Sequence, residues 1–239
     1  MGAYLDTPIK EKNSENGGTE MCSWGLCSMQ GWRCDMEDDH IATEVTQPDG
    51  LKGVLLCVFD GHGGKDVANF AKERFGQVFL ETQEFRQKKY KEALLEAFRK
   101  FDEEVGKMDY GMHTGSTANV VYFNSTDIYC ANAGDSRAVL FTNDKAVPLS
   151  EDHKPDNESE LQRIQKTDHF VEDARVDGNL ALSRAFGDFQ YKDDSKKSWK
   201  DQAVTANPDL TVTKRKKGDK YIILACDGIW DCVTNEECC

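Results

Sequence analysis

The chain has 239 residues, of which 38% are hydrophobic and 31% are charged. This length fits one large domain or two small ones of roughly 150 residues each, and the composition is that of a folded protein. No run approaches the about 20 apolar residues of a membrane span, so no integral membrane association is expected. Because 43 acidic and 30 basic residues give a net charge of −13, nucleic acid is not an expected partner.

The nine cysteines are odd in number, irregularly spaced and without a CxxC pair. This pattern favours reduced thiols in an intracellular protein, cytoplasmic or nuclear, over a disulfide framework or a zinc site. Met1-Gly2 resembles the start of a myristoylation signal, although Asp6 stands where Ser or Thr is required. An ordinary N-terminus is therefore favoured, and peripheral membrane association is expected only if Gly2 is myristoylated.

Residues 1–20 are polar, which predicts a flexible lead-in before a single domain over 21–239. The apolar run 54–59 predicts a strand buried on both faces. Apolar stripes at helical spacing predict helices over 67–79 and 90–105. Three short strands that could form an antiparallel meander follow at 117–123, 128–133 and 137–141.

A polar helix at 158–166 begins a loop-rich stretch, and we expect the segment 150–208 to form a flap. A second buried strand is predicted at 221–226. Strands and helices mixed in this way indicate an α+β fold. Thr234 and Glu237 form a capping box, which predicts a helix that the two remaining residues cannot complete, so the domain is expected to be truncated at its C-terminus.

Three apolar strands end in an aspartate beside a glycine, at Asp60, Asp135 and Asp227. One such pair is usually a turn, but three could meet at one end of a core. Glu37 and Asp38 belong to a fourth acidic cluster. Clustered carboxylates repel one another unless a cation binds them, and oxygen ligands favour Mg²⁺, Mn²⁺ or Ca²⁺. No EF-hand spacing is present, which disfavours a dedicated Ca²⁺ loop.

Two such ions about 4 Å apart would activate a water and neutralise a phosphoryl group. Arg33 could bind phosphate oxygens in a bidentate way, although an ion pair with Asp35 or Glu37 is an alternative. His62 could protonate a leaving alkoxide, although a turn histidine bonded to backbone is an alternative. These residues together indicate hydrolysis of a phosphate ester.

Several motifs occur along the chain in the same order as in one known protein family. They are Gly31-Trp32-Arg33, Met36-Glu37-Asp38, Asp60-Gly61-His62-Gly63-Gly64, Gly115-Ser116-Thr117-Ala118, Gly134-Asp135-Ser136-Arg137, Asp152-His153-Lys154-Pro155, Ser183-Arg184-Ala185-Phe186-Gly187-Asp188 and Asp227-Gly228-Ile229-Trp230-Asp231. The chain closely resembles the protein phosphatase 2C family of metal-dependent serine/threonine phosphatases, in particular its animal-type members.

The resemblance implies a central β-sandwich of two antiparallel sheets flanked by helices, with a site for two Mn²⁺ or Mg²⁺ ions in a cleft at one end. It implies hydrolysis of phosphoserine and phosphothreonine in proteins by a water bound to two metals, without a phosphoenzyme. Phosphoprotein substrates and a monomeric enzyme are expected.

The resemblance also assigns roles to individual residues. Asp60 would bridge the two metals and the Gly61 carbonyl would bind one, while Glu37 and Asp227 would complete the ligation, with Asp38 close by. Arg33 would hold the phosphate and His62 would be the general acid. The resemblance also implies a weaker third metal at Asp135 and Asp231.

The resemblance is incomplete in two places. The family continues beyond Asp227 with helices, a strand pair and a late metal-binding aspartate, whereas this chain ends at Cys239. Asp168-His169 also stands where the family has two glycines before the flap strand. A catalytically weak or inactive scaffold that binds phosphoproteins is therefore the alternative function, and a phosphodiesterase acting on nucleic acid is disfavoured by the net charge.

Overall fold

The computed structural model describes residues 4–239, and it contains strands and helices throughout. The first half holds β1 (Tyr4–Ile9), β2 (Asn13–Gly18), β3 (Ser23–Ser28), β4 (Gly31–Arg33), β5 (Asp39–Thr46), β6 (Lys52–Phe59), β7 (Gly61–His62), α1 (Asp66–Glu81), α2 (Gln83–Arg86), α3 (Tyr90–Val105), β8 (Gly115–Ser116) and β9 (Ala118–Phe123). The second half holds β10 (Asp127–Ala133), β11 (Arg137–Thr142), β12 (Lys145–Pro148), α4 (Glu158–Ile164), β13 (Val171–Glu172), β14 (Arg175–Val176), β15 (Phe186–Gly187), β16 (Asp209–Lys214), β17 (Asp219–Ala225), α5 (Asp227–Trp230) and α6 (Asn235–Cys238).

Two antiparallel sheets form the centre of the protein, as expected. The larger sheet has the order β16-β10-β9-β6-β5, and the smaller has the order β12-β11-β17. Side chains of both sheets, among them Val121, Ile128 and Leu140, pack together in one apolar cluster. The opposite face of the larger sheet is covered by the apolar stripes of α1 and α3. The fold is thus an α+β sandwich with helices outside.

Strand β6 has an unbroken apolar sequence because both of its faces are covered. Val54 points into the cluster between the sheets, whereas Leu55, Cys57 and Phe59 contact the helices. Alternate residues of a strand point to opposite faces, so an apolar run is required here. The strand ends at Phe59, directly before Asp60, at the end of the sandwich that holds the candidate site.

The meander predicted for the three strands over 117–141 is wrong at its third member. Strands β9 and β10 pair antiparallel, but β11 pairs with β12 and β17 in the smaller sheet. The chain passes from the larger to the smaller sheet at Gly134. Its φ of +113° is readily adopted by glycine but rarely by other residues. A Cβ there would lie 2.7 Å from Thr117, so glycine also permits the close approach of β9.

The polar N-terminal segment is more ordered than expected. Strand β1 pairs with β4, and β2 pairs with β3 in a hairpin. Backbone pairing satisfies the polar groups of these residues even though most of their side chains are exposed. The possible myristoylation site at Gly2 lies outside the described residues. Among residues 4–239, no helix is both long and apolar enough to cross a bilayer.

The segment 150–208 contains its own small apolar cluster, which includes Ile164, Val176 and Tyr191. Near its start, the His169 side chain hydrogen-bonds Asp177 at 2.7 Å, and the Phe170 amide donates to the same carboxylate at 3.1 Å. His169 belongs to the Asp168-His169 pair, which stands where the resemblance leads us to expect two glycines. That the segment acts as a flap remains a prediction.

A buried ion pair fixes this segment to helix α3. Lys192 Nζ lies 2.8 Å from both carboxylate oxygens of Asp102, and the Gly187 amide donates to the same carboxylate at 2.8 Å. Both charged side chains are almost fully buried. Removing one partner would leave an uncompensated charge in the core.

We therefore predict that Lys192→Met lowers the free energy of unfolding by about 3–5 kcal/mol, measured by urea denaturation. The double variant Lys192→Met/Asp102→Asn should recover part of the loss, because Asn still accepts the Gly187 amide. Lys100→Met, which removes an exposed lysine beside Glu96 on the same helix, should cost less than about 1 kcal/mol. Equal losses in Lys192→Met and Lys100→Met would contradict the prediction.

Candidate metal centre and general acid

Three aspartates meet at one end of the sandwich. Asp60 follows β6, Asp135 lies in the turn between β10 and β11, and Asp227 begins α5 directly after β17. One carboxylate oxygen of each lies within 4.8 Å of those of the other two. The expectation that these strand ends come together is confirmed.

Backbone and hydroxyl contacts hold this arrangement. The Asp60 amide donates to Thr117 Oγ1 at 3.1 Å, and the Thr117 amide donates to the Asp60 carbonyl at 2.9 Å. The Thr117 hydroxyl is 2.7 Å from that of Ser136, next to Asp135. Arg137 pairs with Ala225 between β11 and β17, which places Asp227 at the same end of the protein. The carboxylates are therefore positioned by the sheets themselves.

A second group consists of Asp38, Asp60 and Cys226, with ligand atoms again within 4.8 Å of one another. Asp38 hydrogen-bonds both Asp60 and Cys226. Cys226 therefore faces the carboxylates, whereas Cys57 is a buried core residue. Burial and the two neighbouring carboxylates raise the pKa of the Cys226 thiol, so it is protonated and a hydrogen-bond donor.

The carboxylates strongly disturb one another's protonation. Burial, followed by the charges of Asp38, Asp227 and Asp135, raises the pKa of Asp60 to about 9. Burial also raises the pKa of Asp38 and of Asp135, and a hydrogen bond from Lys154 opposes the latter shift. Buried, mutually repelling oxygen ligands fit a hard divalent cation such as Mg²⁺ or Mn²⁺. The donor set therefore fits the metals that the sequence predicts.

The other predicted ligands differ in how close they lie to this centre. A Cβ on Gly61 would be 2.5 Å from the Glu37 carbonyl oxygen, so glycine lets the two segments touch. Glu37 is half-buried, and its charge contributes to raising the pKa of His62. Asp231 is exposed, belongs to neither group, and contributes only its charge to the pKa values of Lys154 and Arg137.

Arg33 is exposed at the end of β4, and its positive charge acts to lower the pKa of Asp38. Within the described residues, no ion pair joins it to Asp35 or Glu37. The ion-pair alternative is therefore not observed, and the guanidinium is available to a ligand at the edge of the carboxylate centre.

His62 forms a close pair with Asp188, a residue for which the sequence predicts no role in the site. His62 Nε2 lies 2.6 Å from Asp188 Oδ2, and Asp188 is 1% exposed. Burial acts to lower the pKa of His62, but the Asp188 charge and hydrogen bond outweigh it, so the pKa is raised. The other ring nitrogen, Nδ1, is buried and has no hydrogen-bond partner among residues 4–239. The backbone-bonded turn histidine is therefore not observed.

The local backbone is shaped around this pair. Asp188 has a left-handed φ of +54°, and a Cβ on Gly115 would lie 2.2 Å from Asp188 Oδ2 and 2.5 Å from His62 Nε2. The small sheet β15-β8-β7 brings the three residues together. Because 126 positions separate His62 from Asp188, no local pattern could have revealed the pair.

This combination of a two-sheet sandwich and a carboxylate centre defines the protein as a metal-binding hydrolase of the phosphatase class. Residues 23–239 match the protein phosphatase 2C family, and the chain belongs to it. Members of this family are metal-dependent serine/threonine protein phosphatases. The animal-type assignment and the truncation expected from the sequence remain predictions.

Several proteins similar to this chain are named as phosphatases. The chain is 41% identical to probable protein phosphatase 2C 6 of Paramecium tetraurelia, over 97% of this chain and 82% of that protein. It is 43% identical to protein phosphatase 2C homolog 3 of Schizosaccharomyces pombe, over 99% of this chain and 58% of that protein. A phosphatase structure from Toxoplasma gondii has a TM-score of 0.73 at 22% identity, covering 95% of this chain and 79% of the other, and supports the fold.

We predict that the carboxylate centre makes the metal-free protein less stable as the pH rises. The folded-state pKa of Asp60, about 9, exceeds the ordinary value of 3.8 expected after unfolding. The folded state therefore holds an extra proton between these values, so its stability is greatest below the lower pKa and falls as the pH rises through the upper one.

Urea unfolding in EDTA between pH 5 and pH 9 measures this dependence. Asp60→Asn should flatten it and stabilise the metal-free protein at pH 8 by roughly 1–3 kcal/mol, because the amide carries no charge. Asp39→Asn, outside the two groups, serves as the control. A wild-type stability that rises with pH in EDTA would overturn the prediction.

We predict that Asp188→Asn impairs the role of His62 without altering metal binding, because Asp188 belongs to neither carboxylate group. The loss should be about 10²–10³-fold in kcat for a phosphothreonine peptide, in line with the contribution of a general acid. It should be small for p-nitrophenyl phosphate, whose leaving group needs no proton. Equal losses on both substrates would argue that Asp188 only maintains the fold, and an unchanged Mn²⁺ affinity is the control.

Proposed function

We propose that the protein hydrolyses phosphoserine and phosphothreonine in proteins, with two Mn²⁺ or Mg²⁺ ions and direct attack of water rather than a phosphoenzyme. The observation that carries this proposal is the convergence of Asp60 with Asp38, Asp135 and Asp227 at the end of the sandwich. Their mutual repulsion is the electrostatic condition that a pair of divalent cations relieves.

The carboxylate centre would hold the ions with Asp60 between them. The Gly61 carbonyl, Glu37 and Asp227 would complete the ligation directly or through water, and Asp38 lies within hydrogen-bond reach of Asp60. When bound, the ions supply an activated water and neutralise the charge of the phosphoryl group. For a weaker third ion, Asp135 is a better candidate than Asp231, because only Asp135 lies with Asp60 and Asp227. Lys154 already donates a hydrogen bond to one oxygen of Asp135.

The remaining steps belong to the side chains of the protein. Arg33 would hold the phosphoryl oxygens, since no carboxylate of residues 4–239 pairs with its guanidinium, which can donate two parallel hydrogen bonds. His62 would give a proton to the leaving serine or threonine oxygen. The Nε2 atom of the same ring is hydrogen-bonded to Asp188. Asp188 would orient the ring and keep it protonated.

Phosphoproteins are the substrates that this chemistry and the family imply. A monomeric state and a cytoplasmic or nuclear location remain predictions from the sequence. A scaffold that binds phosphoproteins without hydrolysing them is the outcome expected if the centre cannot hold its metals.

The test is hydrolysis of a phosphothreonine peptide by the 239-residue chain, with Mn²⁺ titrated against an EDTA control. We predict saturable, metal-dependent turnover, and a loss of at least about 10³-fold in Asp60→Asn, because the variant lacks the central ligand. Circular dichroism verifies that the variant is folded.

Two results would contradict the proposal. One is full activity of Asp60→Asn with an unchanged Mn²⁺ requirement, which would exclude Asp60 as a central ligand. The other is a folded wild-type chain that binds the phosphopeptide but does not turn it over at any Mn²⁺ concentration, which would favour the scaffold.

A further inference from the structure

A cavity of about 580 Å³ lies in the segment 150–208, apart from the carboxylate centre. Helix α4 forms one wall, and the loop 196–201 forms the other. The residues that carry charge around it are Glu160, Arg163, Lys166, Arg184, Lys196, Lys197, Lys200 and Asp201. Six cations thus face two carboxylates, an excess of four positive charges in a chain whose net charge is −13. We call this cavity the basic pocket.

The floor of the basic pocket is a rigid ionic network. Glu160, which is 1% exposed, accepts hydrogen bonds from Arg163 Nη1 at 2.6 Å and from Arg184 Nη2 at 2.7 Å. Arg163 also donates to the Ser183 carbonyl at 2.6 Å, and Arg184 donates to Asp209 Oδ1 at 2.7 Å. These contacts bind the two guanidiniums to the protein, so they set the shape of the pocket rather than supply the groups that a ligand would bind.

The lysines at the rim are different. Within the described residues, no carboxylate pairs with the side chains of Lys166, Lys196 or Lys197, and Lys200 only approaches the Trp199 ring, at 5.5 Å from its centroid. The second acidic lining residue, Asp201, accepts a hydrogen bond from Ser198. Like charges gathered around one cavity repel one another unless an anion enters it. The rim therefore has the chemistry of an anion site.

The basic pocket is connected to the general acid by a short piece of chain. Arg184 precedes Asp188 by four residues, so their Cα atoms are at most about 14 Å apart. Asp188 in turn lies 2.6 Å from His62. An extended peptide advances about 3.3 Å per residue, so a substrate bound at His62 could place a residue roughly four to eight positions away in the basic pocket.

We propose that the basic pocket binds a second phosphoryl group of the protein substrate, at a distance from the residue that is hydrolysed. This inference rests on the proposed function, because it assumes a phosphoprotein in the catalytic site. Lys166, Lys196 and Lys197 would contact the second phosphoryl group, and the Glu160 network would hold helix α4 in place behind them.

Binding in EDTA tests the pocket without depending on catalysis. Fluorescence anisotropy would compare labelled peptides with one phosphothreonine, or with a second phosphoserine two, four, six or eight residues away. We expect Lys166→Ala/Lys196→Ala/Lys197→Ala to weaken binding of the best doubly phosphorylated peptide by roughly tenfold or more, since each exposed charge contributes modestly. Binding of the singly phosphorylated peptide should change less than about twofold, and the difference should shrink in high salt.

A matched variant separates the basic pocket from a general charge effect. The triple variant Lys89→Ala/Lys91→Ala/Lys145→Ala also removes three positive charges, but from exposed positions outside the basic pocket. We expect this variant to bind both kinds of peptide as the wild type does. Equal weakening by the two triple variants would overturn the proposal, as would a wild-type preference for no spacing of the second phosphate.

Inorganic phosphate distinguishes a peptide site from a site for free anions. We expect it to compete with the peptide only at far higher concentration, whereas competition at the peptide's own concentration would mean that the pocket binds a free anion and would overturn the proposal. With Mn²⁺ present, the pocket variant should raise KM for the doubly phosphorylated peptide and leave kcat for p-nitrophenyl phosphate unchanged. If no peptide is hydrolysed, the proposed function fails, while the binding measurement still decides the role of the pocket.

Discussion

The repulsion among buried carboxylates is the constraint on which this structure depends. Asp60 is surrounded by Asp38, Asp135 and Asp227, and burial followed by the charges of these neighbours raises its pKa to about 9. Their side chains would separate if the backbone allowed it. It does not, because Asp60 is tied to Thr117 and the neighbouring strands fix the positions of Asp135 and Asp227. Packing energy from both sheets is thus used to hold carboxylates whose repulsion is relieved by a bound proton or by a divalent cation.

Positive charge is placed around this centre in two ways that have different consequences. Lys154 is hydrogen-bonded to Asp135 and opposes the rise in its pKa that burial causes, so it partly balances this carboxylate. Arg33 is exposed and has no carboxylate partner in the described part of the chain, so it can bind a ligand without breaking an internal contact. A protein with a net charge of −13 can receive an anionic substrate only if such local charges outweigh the overall field.

The sequence predicted the buried strands, the two long helices and the three strand-end aspartates, because each has a local signal in apolar spacing or in an Asp-Gly pair. It did not predict that β11 joins the other sheet, since strand pairing depends on contacts far along the chain. The strands over residues 4–18 were missed because their side chains are polar and exposed. The contacts of Cys226 and Asp188 also had no local signal, since the direction of a side chain at a strand end or turn is set by tertiary packing.

The position of Asp188 divides the proposed catalytic residues between two parts of the fold. The carboxylates stand on the ends of the central sheets, whereas the partner of His62 directly follows β15, within the segment 150–208. That segment is attached through the Lys192–Asp102 pair and the Gly187 amide, and it also carries the basic pocket. The proposed metal ligands can therefore stay fixed while the orientation of His62, the proposed general acid, depends on how the segment packs. A substrate bound in the basic pocket, as proposed, would influence His62 through Asp188 rather than through the carboxylate centre.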